Sequence, residues 1–253
     1  MNEVKSGHFI GAETSGFRYV EKASPLSTHL QWLTYGVHEL SGPIATAPIS
    51  HPGEEALLFC WEGRTRVTLC GTKYELGRYD VLYVPRSEAY SLSHGGDHCR
   101  LVVCRAPAEK AYPAYYAGWS EILHDERRLR RLKGKDVFLM FDVSEQADKL
   151  MAGYTFFQPF QRSWPPHNHT DQEEIYIFLS GHGAMEVYAE EETKHLVRSV
   201  GPGDAVTIPV LNYHPVFSQE EPLEFIWCIA GARYWVGDKN KNFMTGSVAQ
   251  LTT

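Results

Sequence analysis

Apolar residues along this chain fall in short runs, and the long periodicity of amphipathic helices is scarce. The runs are rich in β-branched and aromatic residues, and turns with glycine, proline or charged residues separate them. Strands of this kind at this spacing predict a β-sandwich or a β-barrel. The runs are ALLFCWEG, TRVTLCG, VLYVP, CRLVVC, DVFLMFDV, YTFFQPF, EIYIFLSG, AMEVY, AVTIP and EFIWCIAG.

One segment, Ser120–Lys133, has the pattern of a helix. Ser120 can cap its first turn, acidic residues follow the cap, and basic residues with Gly134 close its end. The segment follows a loop, residues 106–118, that contains two prolines. We therefore expect a helical linker between two β modules, with a first module at residues 1–118 and a second at 119–253.

The two halves repeat one pattern. GEEALLFCWEGRTRVTL, from Gly53, and QEEIYIFLSGHGAMEVY, from Gln172, share a pair of glutamates, an apolar strand, a glycine turn and a second strand. Downstream, LGRYDVLYVPRSEAY parallels VGPGDAVTIPVLNYH, so that Tyr90 aligns with His214. The chain is thus predicted to contain two copies of one β unit, about 120 residues apart.

Composition narrows the class of protein. With 253 residues, 43% apolar and 22% charged, the chain is typical of a globular protein, which excludes a collagen, a disordered chain or a disulfide scaffold. No apolar run approaches the ~20 residues of a membrane-spanning helix, and no signal peptide is evident. A net charge of −7 argues against nucleic-acid binding driven by overall charge. Five cysteines without a CxxC motif indicate reduced thiols and a cytoplasmic location.

The sharpest chemical feature is the segment PPHNHTDQEE, residues 165–174. His167 and His169 point the same way if this segment is extended, because side chains alternate along a strand. Glu174 opens the next strand, and His214 lies at the end of a later one. Three imidazoles and a carboxylate suit Zn, Mn, Fe, Co or Ni, and the ligand types alone do not choose among these metals.

This segment resembles the first cupin motif, in which an HxH pair is followed by glutamate and then by glycine. Four residues fit that motif: His167, His169, Glu174 and Gly181. The second cupin motif is matched at three positions and departs from the usual glycine and asparagine at two: the matches are Gly203, Pro209 and His214, and the departures are Leu211 and Ser218. In the first half only His51 precedes the glutamate pair, and Tyr90 takes the place of His214, so we expect that module to bind no metal.

The chain as a whole is similar to the bicupin sugar-isomerase group that includes 5-keto-4-deoxyuronate isomerase and 5-deoxy-glucuronate isomerase. The segments that carry the resemblance are YELGRYDVLYVP, PPHNHTDQEEIYIF and FIWCIAGARYWVGD. The resemblance implies an all-β bicupin of two tandem jelly-roll barrels. It also implies one divalent metal, Zn or Mn before Fe, Ni or Co, on His167, His169, Glu174 and His214.

The function implied is a metal-dependent aldose–ketose isomerase that acts on a keto or deoxy sugar acid. Such an enzyme needs a group that carries a proton between neighbouring carbon atoms. Glu186 and Tyr176 are the nearest titratable candidates on predicted strands of the second module. An anionic substrate also needs a local cation in a protein of net negative charge, and Arg162 and Arg233 are the candidates.

Three other functions fit the same motifs. A cupin dioxygenase would hold iron on the three histidines and consume O₂. A bicupin hydrolase of the ureidoglycine aminohydrolase type and a non-catalytic sugar-binding cupin are the other two. The identity of the metal, together with turnover in the absence of O₂, would separate the isomerase from the dioxygenase.

The strand that follows the histidine motif is apolar on both faces. Tyr176 and Phe178 should share the face of Glu174, which leaves Ile175, Ile177 and Leu179 on the other face. A sheet with one wet face would alternate polar residues there. Something must therefore cover the second face: the other module, a chain extension or another subunit. A homodimer or a larger assembly is the corresponding hypothesis.

Overall fold

The computed structural model describes residues 16–163, 166–190 and 192–234, and within them the protein is almost entirely β. The strands of the first half are β1 (Phe17–Ala23), β2 (Thr34–Ser41), β3 (Ile44–Ala45), β4 (Glu54–Glu62), β5 (Thr65–Leu69), β6 (Thr72–Leu76), β7 (Val81–Val84), β8 (Tyr90–His94), β9 (His98–Pro107) and β10 (Tyr115–Ala117). Helix α1 (Trp119–His124) follows. The strands of the second half are β11 (Leu129–Leu132), β12 (Lys135–Phe141), β13 (Met151–Phe157), β14 (Gln172–Ser180), β15 (Gly183–Val187), β16 (Leu196–Val200), β17 (Ala205–Ile208), β18 (Val216–Ser218) and β19 (Leu223–Gly231).

Each half forms two antiparallel sheets, and the strand orders of the halves correspond. The order β2-β9-β4-β7 in the first half recurs as β13-β19-β14-β17, and β6-β5-β8 recurs as β16-β15-β18. A register shift in β1, between Glu21 and Ala23, also recurs in β12, between Leu139 and Phe141. The prediction of two tandem β modules is confirmed. The boundary at residues 118 and 119 stays a prediction, and residues 1–15 and 235–253, which the predicted modules include, lie outside the described residues.

Three apolar cores hold the molecule together. One lies between the two sheets of the first module, and a second lies between those of the second module. The third joins the modules, where Ile175, Ile177 and Leu179 of β14 belong to one cluster with Leu57 and Phe59 of β4. The apolar outer face of β14 is thus covered by the other module. Because the first module already covers this face, the face is not an argument for a homo-oligomer. The homo-oligomer stays a prediction.

Two buried glutamates tie each module to the backbone of the other. The Glu173 carboxylate accepts hydrogen bonds from the N–H groups of residues 31–33, just before β2, at 2.5–2.7 Å. The Glu55 carboxylate accepts from the N–H groups of residues 148–150, just before β13, at 2.7–2.9 Å. The Tyr83 hydroxyl donates to Glu55 as well. The contacts are reciprocal, so the two modules dock through equivalent residues.

The linker differs from the helix predicted over Ser120–Lys133. Helix α1 ends at His124, a 3₁₀ turn covers Glu126–Arg128, and the sequence LRRL forms strand β11. β11 pairs with β12 in an antiparallel hairpin that turns at Gly134, where φ is +71°. The prediction was wrong beyond His124 because the strand pairing of Leu129–Leu132 with β12 outweighs the helical preference of its arginines. Gly118, rather than Ser120, precedes the helix, and no side chain caps it.

The basic residues of this linker lie against acidic partners. Arg127 pairs with Asp125, Arg131 pairs with Glu126, and Arg128 pairs with Glu145. The charges of these three arginines are therefore offset by neighbouring carboxylates. Within the described ranges, no helix is long and apolar enough to cross a bilayer.

Candidate metal centre

The predicted ligands come from three segments that meet at one end of the second module. His167 and His169 lie on the stretch before β14, Glu174 lies on β14 itself, and His214 lies between β17 and β18. Glu174 is on a central strand, with Ile208 of β17 on one side and Ile229 of β19 on the other. The Leu211 N–H donates to the His169 carbonyl oxygen at 2.6 Å. This bond fastens the histidine segment to the loop that carries His214.

The side chains converge. The ligand nitrogen atoms of the three histidines lie within 4.8 Å of one another. The Nε2 atoms of His169 and His214 lie 3.3 and 3.1 Å from Oε2 of Glu174. The Nδ1 atom of His214 is 3.0 Å from the Asn212 carbonyl oxygen, a contact that places the proton on Nδ1 and leaves the Nε2 lone pair for a cation.

The donor atoms fit a metal ion. His169, Glu174 and His214 are at most 3% exposed. Their facing atoms, Nε2, Oε2 and Nε2, are buried without a hydrogen-bond partner in the described part of the chain. Buried polar atoms are normally satisfied, so three unpartnered atoms directed at one another call for a shared partner. A divalent cation is the partner that imidazole nitrogen and carboxylate oxygen atoms suit together.

Electrostatics favour the protonation states that bind a cation. Burial, followed by the neighbouring His214 and His169, holds the pKa of His167 well below its usual value, so its imidazole is neutral. Burial by itself raises the pKa of Glu174, but the contacts with His169 and His214 together outweigh it, and the pKa is lowered. Neutral imidazoles and an ionised carboxylate are the forms that coordinate metals.

Tyr176 lies beside these residues. It shares the interior face with Glu174, as the alternation along β14 predicts, and belongs to the core of the second module. Its ring meets the His214 ring edge-on at 5.7 Å and stacks on Phe225 at 4.4 Å. Burial, followed by the charge of Glu174, raises the pKa of Tyr176 well above its usual value. Tyr176 therefore keeps its proton, so that its hydroxyl can donate a hydrogen bond but is not available as a base near neutral pH.

Glu186 lies on the opposite side of its strand. Its neighbours Met185 and Val187 are in the interior core, so Glu186 points outward from β15. Its carboxylate accepts a hydrogen bond from the Lys194 ammonium at 2.7 Å. The structure does not bring Glu186 to the three histidines, and its role as a base stays a prediction that this geometry does not favour.

The two predicted arginines are also held elsewhere. Arg162 is exposed, and its guanidinium lies over the Phe217 ring at 5.0 Å. Arg233 donates to four backbone carbonyl oxygens, those of Asp142, Glu145, Ala147 and Leu150. These bonds anchor the loop between β12 and β13. A substrate-binding role for either arginine stays a prediction without support from these contacts.

Sequence reasoning did not consider Lys135 as a site residue. Lys135 is a half-buried cation on the inner face of β12. Its Nζ atom lies 3.2 Å from Oγ of Ser163 and 5.3 Å from the centre of the Phe157 ring. Burial lowers the pKa of Lys135 to about 8. Its charge is among the causes that lower the pKa of His167, which puts the ammonium within electrostatic range of the histidine cluster. No signal in the sequence distinguishes Lys135 from the other basic residues.

A family model matches residues 11–244, nearly the whole chain, and its description is KduI/IolB family. The chain belongs to the KduI/IolB family. The family assignment confirms the resemblance to the bicupin sugar-isomerase group.

Two curated relatives carry the same name, 4-deoxy-L-threo-5-hexosulose-uronate ketol-isomerase. The protein from Opitutus terrae is 25% identical over 175 residues, which cover 65% of this chain and 62% of that protein. The protein from Cereibacter sphaeroides is 28% identical over 177 residues, which cover 67% and 63%. The chain thus matches slightly less than two thirds of the length of these isomerases.

Solved structures show the fold of this KduI/IolB family chain to be that of the cupins. An IolB-like protein from Salmonella typhimurium superposes with a TM-score of 0.73 at 20% identity, over 88% of this chain and 92% of that one. Oxalate decarboxylase from Bacillus subtilis gives a TM-score of 0.70 at 14% identity, over 87% and 74%. The prediction of an all-β bicupin is confirmed.

Strand pairing in this KduI/IolB family chain corrects the alignment of the two repeats predicted from the sequence. Glu174 pairs with Ile208 on β17, and the residue that pairs with the equivalent Val84 on β7 is Ala56. The sequence alignment of Gly53 with Gln172 is therefore one residue out, and Ala56, not Glu55, has the place of Glu174. The Tyr90 hydroxyl, in the place of His214, lies 2.7 Å from Nε2 of His38.

Proposed function

We propose that this protein is a divalent-metal-dependent ketol-isomerase of a uronate-type sugar acid. The observation that supports it most strongly is the convergence of unpartnered nitrogen and oxygen atoms of His169, Glu174 and His214, with His167 beside them. The name shared by the two curated relatives supplies the reaction, and 4-deoxy-L-threo-5-hexosulose uronate is the first substrate to test.

The mechanism assigns separate tasks to the residues of the second module. His167, His169, Glu174 and His214 would hold the cation, which supplies Lewis-acid stabilisation of negative charge on the oxygen atoms of the sugar. Tyr176 packs against His214 and keeps its proton, so it can donate a hydrogen bond to a substrate oxygen. The buried, stacked rings of Tyr176 and Phe225 form an apolar wall beside these residues.

We propose Zn or Mn as the metal, with Fe, Ni and Co as the other candidates. The donor set of three imidazoles and one carboxylate is compatible with all five. The solved oxalate decarboxylase that shares this fold is described as having Mn(II) centres, which is the reason to include Mn in the first trials. Metal analysis of the purified protein decides among them.

The test combines metal content with turnover. We expect the His167→Ala variant to lose its metal and to lower turnover of the uronate by about 100-fold or more, since metal catalysis contributes several kcal/mol. His124→Ala is the matched control, because His124 is exposed on α1 in the linker. Assays run without O₂ separate an isomerase from a dioxygenase. Full activity in a metal-free preparation would refute the proposal.

The setting we propose is a homo-oligomer in the cytoplasm with a small anionic sugar as its partner. The five cysteines are free thiols, four of them buried, as expected of a protein from a reducing compartment. Light scattering at micromolar concentration tests the assembly, and a monomer would contradict that part of the proposal.

A further inference from the structure

Lys135 begins strand β12 and faces the interior of the second module. Along β12, Val137 and Leu139 lie on the same face as Lys135, and both contact the core of that module. The half-buried side chain therefore extends along an apolar inner face, where its ammonium meets Ser163 and the Phe157 ring. Burial of an ammonium costs free energy unless it has hydrogen-bond or charge partners, because burial penalises the charged form.

The fold itself does not require a charge at this position. Lys135 stands opposite Phe157 at the start of the β12–β13 ladder, and Phe17 stands opposite Leu40 at the start of the β1–β2 ladder. Phe17 packs against the core of the first module and stacks on His38 at 5.4 Å. The same strand position thus holds an apolar ring in one module and an ammonium in the other. The module that has the ammonium is also the module that contains the candidate metal site.

A continuous row of aromatic rings connects Lys135 with the histidine cluster. Its ammonium lies over Phe157, which stacks on Phe225 at 5.9 Å. Phe225 stacks on Tyr176 at 4.4 Å, and Tyr176 meets His214 at 5.7 Å. The cation and the metal ligands therefore line one interior surface.

Ser163 positions the ammonium. It is 5% exposed, and its N–H donates to the Val216 carbonyl oxygen at 2.8 Å, two residues beyond His214. Its Oγ lies 3.2 Å from Nζ of Lys135. A hydroxyl beside an ammonium gives two adjacent donors of the kind that bind a carboxylate.

We propose that the Lys135 ammonium and the Ser163 hydroxyl bind the carboxylate of the substrate and so select sugar acids over neutral sugars. This inference rests on the proposed function, because it names the part of that site that recognises the acid group. Lys135 and Ser163 thus take the role predicted for Arg162 and Arg233. Arg162 lies on the exposed side of its segment, next to the inward Ser163, and Arg233 is bound to backbone carbonyl oxygens.

Kinetics with a matched pair of substrates test the proposal. The pair is the uronate and its neutral counterpart, in which a hydroxymethyl group replaces the carboxylate. We expect Lys135→Met to lower kcat/KM for the uronate about 10- to 100-fold, mainly through KM, since a hydrogen bond to a charged group contributes that much. Turnover of the neutral counterpart should change less than about two-fold, because its contacts do not include the ammonium. Lys135→Arg, which keeps the charge, should restore part of the loss.

Lys133→Met is the control. Lys133 is exposed in the turn before β12, so its replacement removes the same charge from the same hairpin without entering the interior. Metal content should remain at the wild-type value in both lysine variants. An equal loss for the acid and the neutral sugar in Lys135→Met would overturn the proposal, because it would show a structural or proton-transfer role instead.

Binding separates a failure of this inference from a failure of the proposed function. Calorimetric titration of the metal-loaded protein with galacturonate and with galactose needs no turnover. We expect the wild type to prefer galacturonate and Lys135→Met to lose that preference. Equal binding of the two sugars by the wild type would overturn the role of Lys135, even if the isomerase activity is found. Absence of turnover with a retained preference would overturn only the isomerase assignment.

Discussion

Replacement of Glu173 by glutamine tests whether the buried carboxylates hold the two modules together. In the native protein one oxygen atom of Glu173 accepts from Trp32 and Leu33, and the other accepts from Gln31. Glutamine keeps the shape and one acceptor oxygen, but it turns the other position into an N–H donor. If the oxygen retains Trp32 and Leu33, the amide nitrogen faces the N–H of Gln31, and two donors then meet in a buried site.

The magnitude follows from these contacts. One charge-assisted hydrogen bond is lost, which costs about 1.5–3 kcal/mol, and the other two become weaker neutral bonds. Relief of a buried charge offsets part of this loss. We therefore expect Glu173→Gln to lower the free energy of unfolding by about 3 kcal/mol, which corresponds to a fall in Tm of about 6–12 °C for a chain of this size.

Urea unfolding followed by tryptophan fluorescence measures the change. Glu220→Gln is the control, since Glu220 is exposed and the same chemical change there should alter stability by less than about 0.5 kcal/mol. Glu55→Gln is the equivalent change in the first module and should lower stability by a similar amount. The Tyr83 hydroxyl, which donates to Glu55, can rotate to accept from the new amide instead. A free energy of unfolding for Glu173→Gln within about 0.5 kcal/mol of that for Glu220→Gln would refute the reasoning.

Two further predictions concern the second module and the buried tyrosines. Glu186→Gln should keep turnover of the uronate within about two-fold of wild type, because Glu186 pairs with Lys194 on the outer side of β15, and a loss above ten-fold would reinstate it as the base. Burial raises the pKa values of several tyrosines, among them Tyr35, Tyr83, Tyr90 and Tyr154, so the native state binds more protons than the unfolded state above pH 10. Tm should therefore be insensitive to these groups below about pH 10 and should fall above it. If all fourteen tyrosines of the folded protein titrate near pH 10, the prediction is wrong.

Alternation along a strand was the sequence signal that predicted most. It separated Tyr176 from Ile175 and Ile177 on β14, and these residues lie in two different cores of the structure. It could not say which of three covers would meet the outer face, because that depends on how the modules dock. Docking is fixed by contacts between residues more than 90 positions apart, such as Glu55 with Leu150.

The linker and Lys135 could not be predicted from local sequence, because both depend on strand pairing. In the linker, arginines with good helical propensity lie between two leucines in the sequence LRRL, and pairing with β12 makes this segment a strand. One lysine at the start of a strand carries no signal of its own in a sequence with 24 basic residues. Only the register of the two ladders shows that it replaces Phe17. Likewise, the pairing of Glu186 with Lys194 depends on the loop between β15 and β16.

Docking of the modules and geometry of the metal centre meet on neighbouring residues of β14. Glu173 points to the first module and Glu174 points to the histidines, because consecutive side chains on a strand face opposite ways. A displacement of the backbone at Glu173 must therefore move the carboxylate of Glu174. The first module has Ala56 in the place of Glu174 and Tyr90 in the place of His214, and Tyr90 contacts His38 there. Its contribution to the candidate site is thus mechanical: it covers the outer face of β14 and fixes the strand that carries the carboxylate ligand.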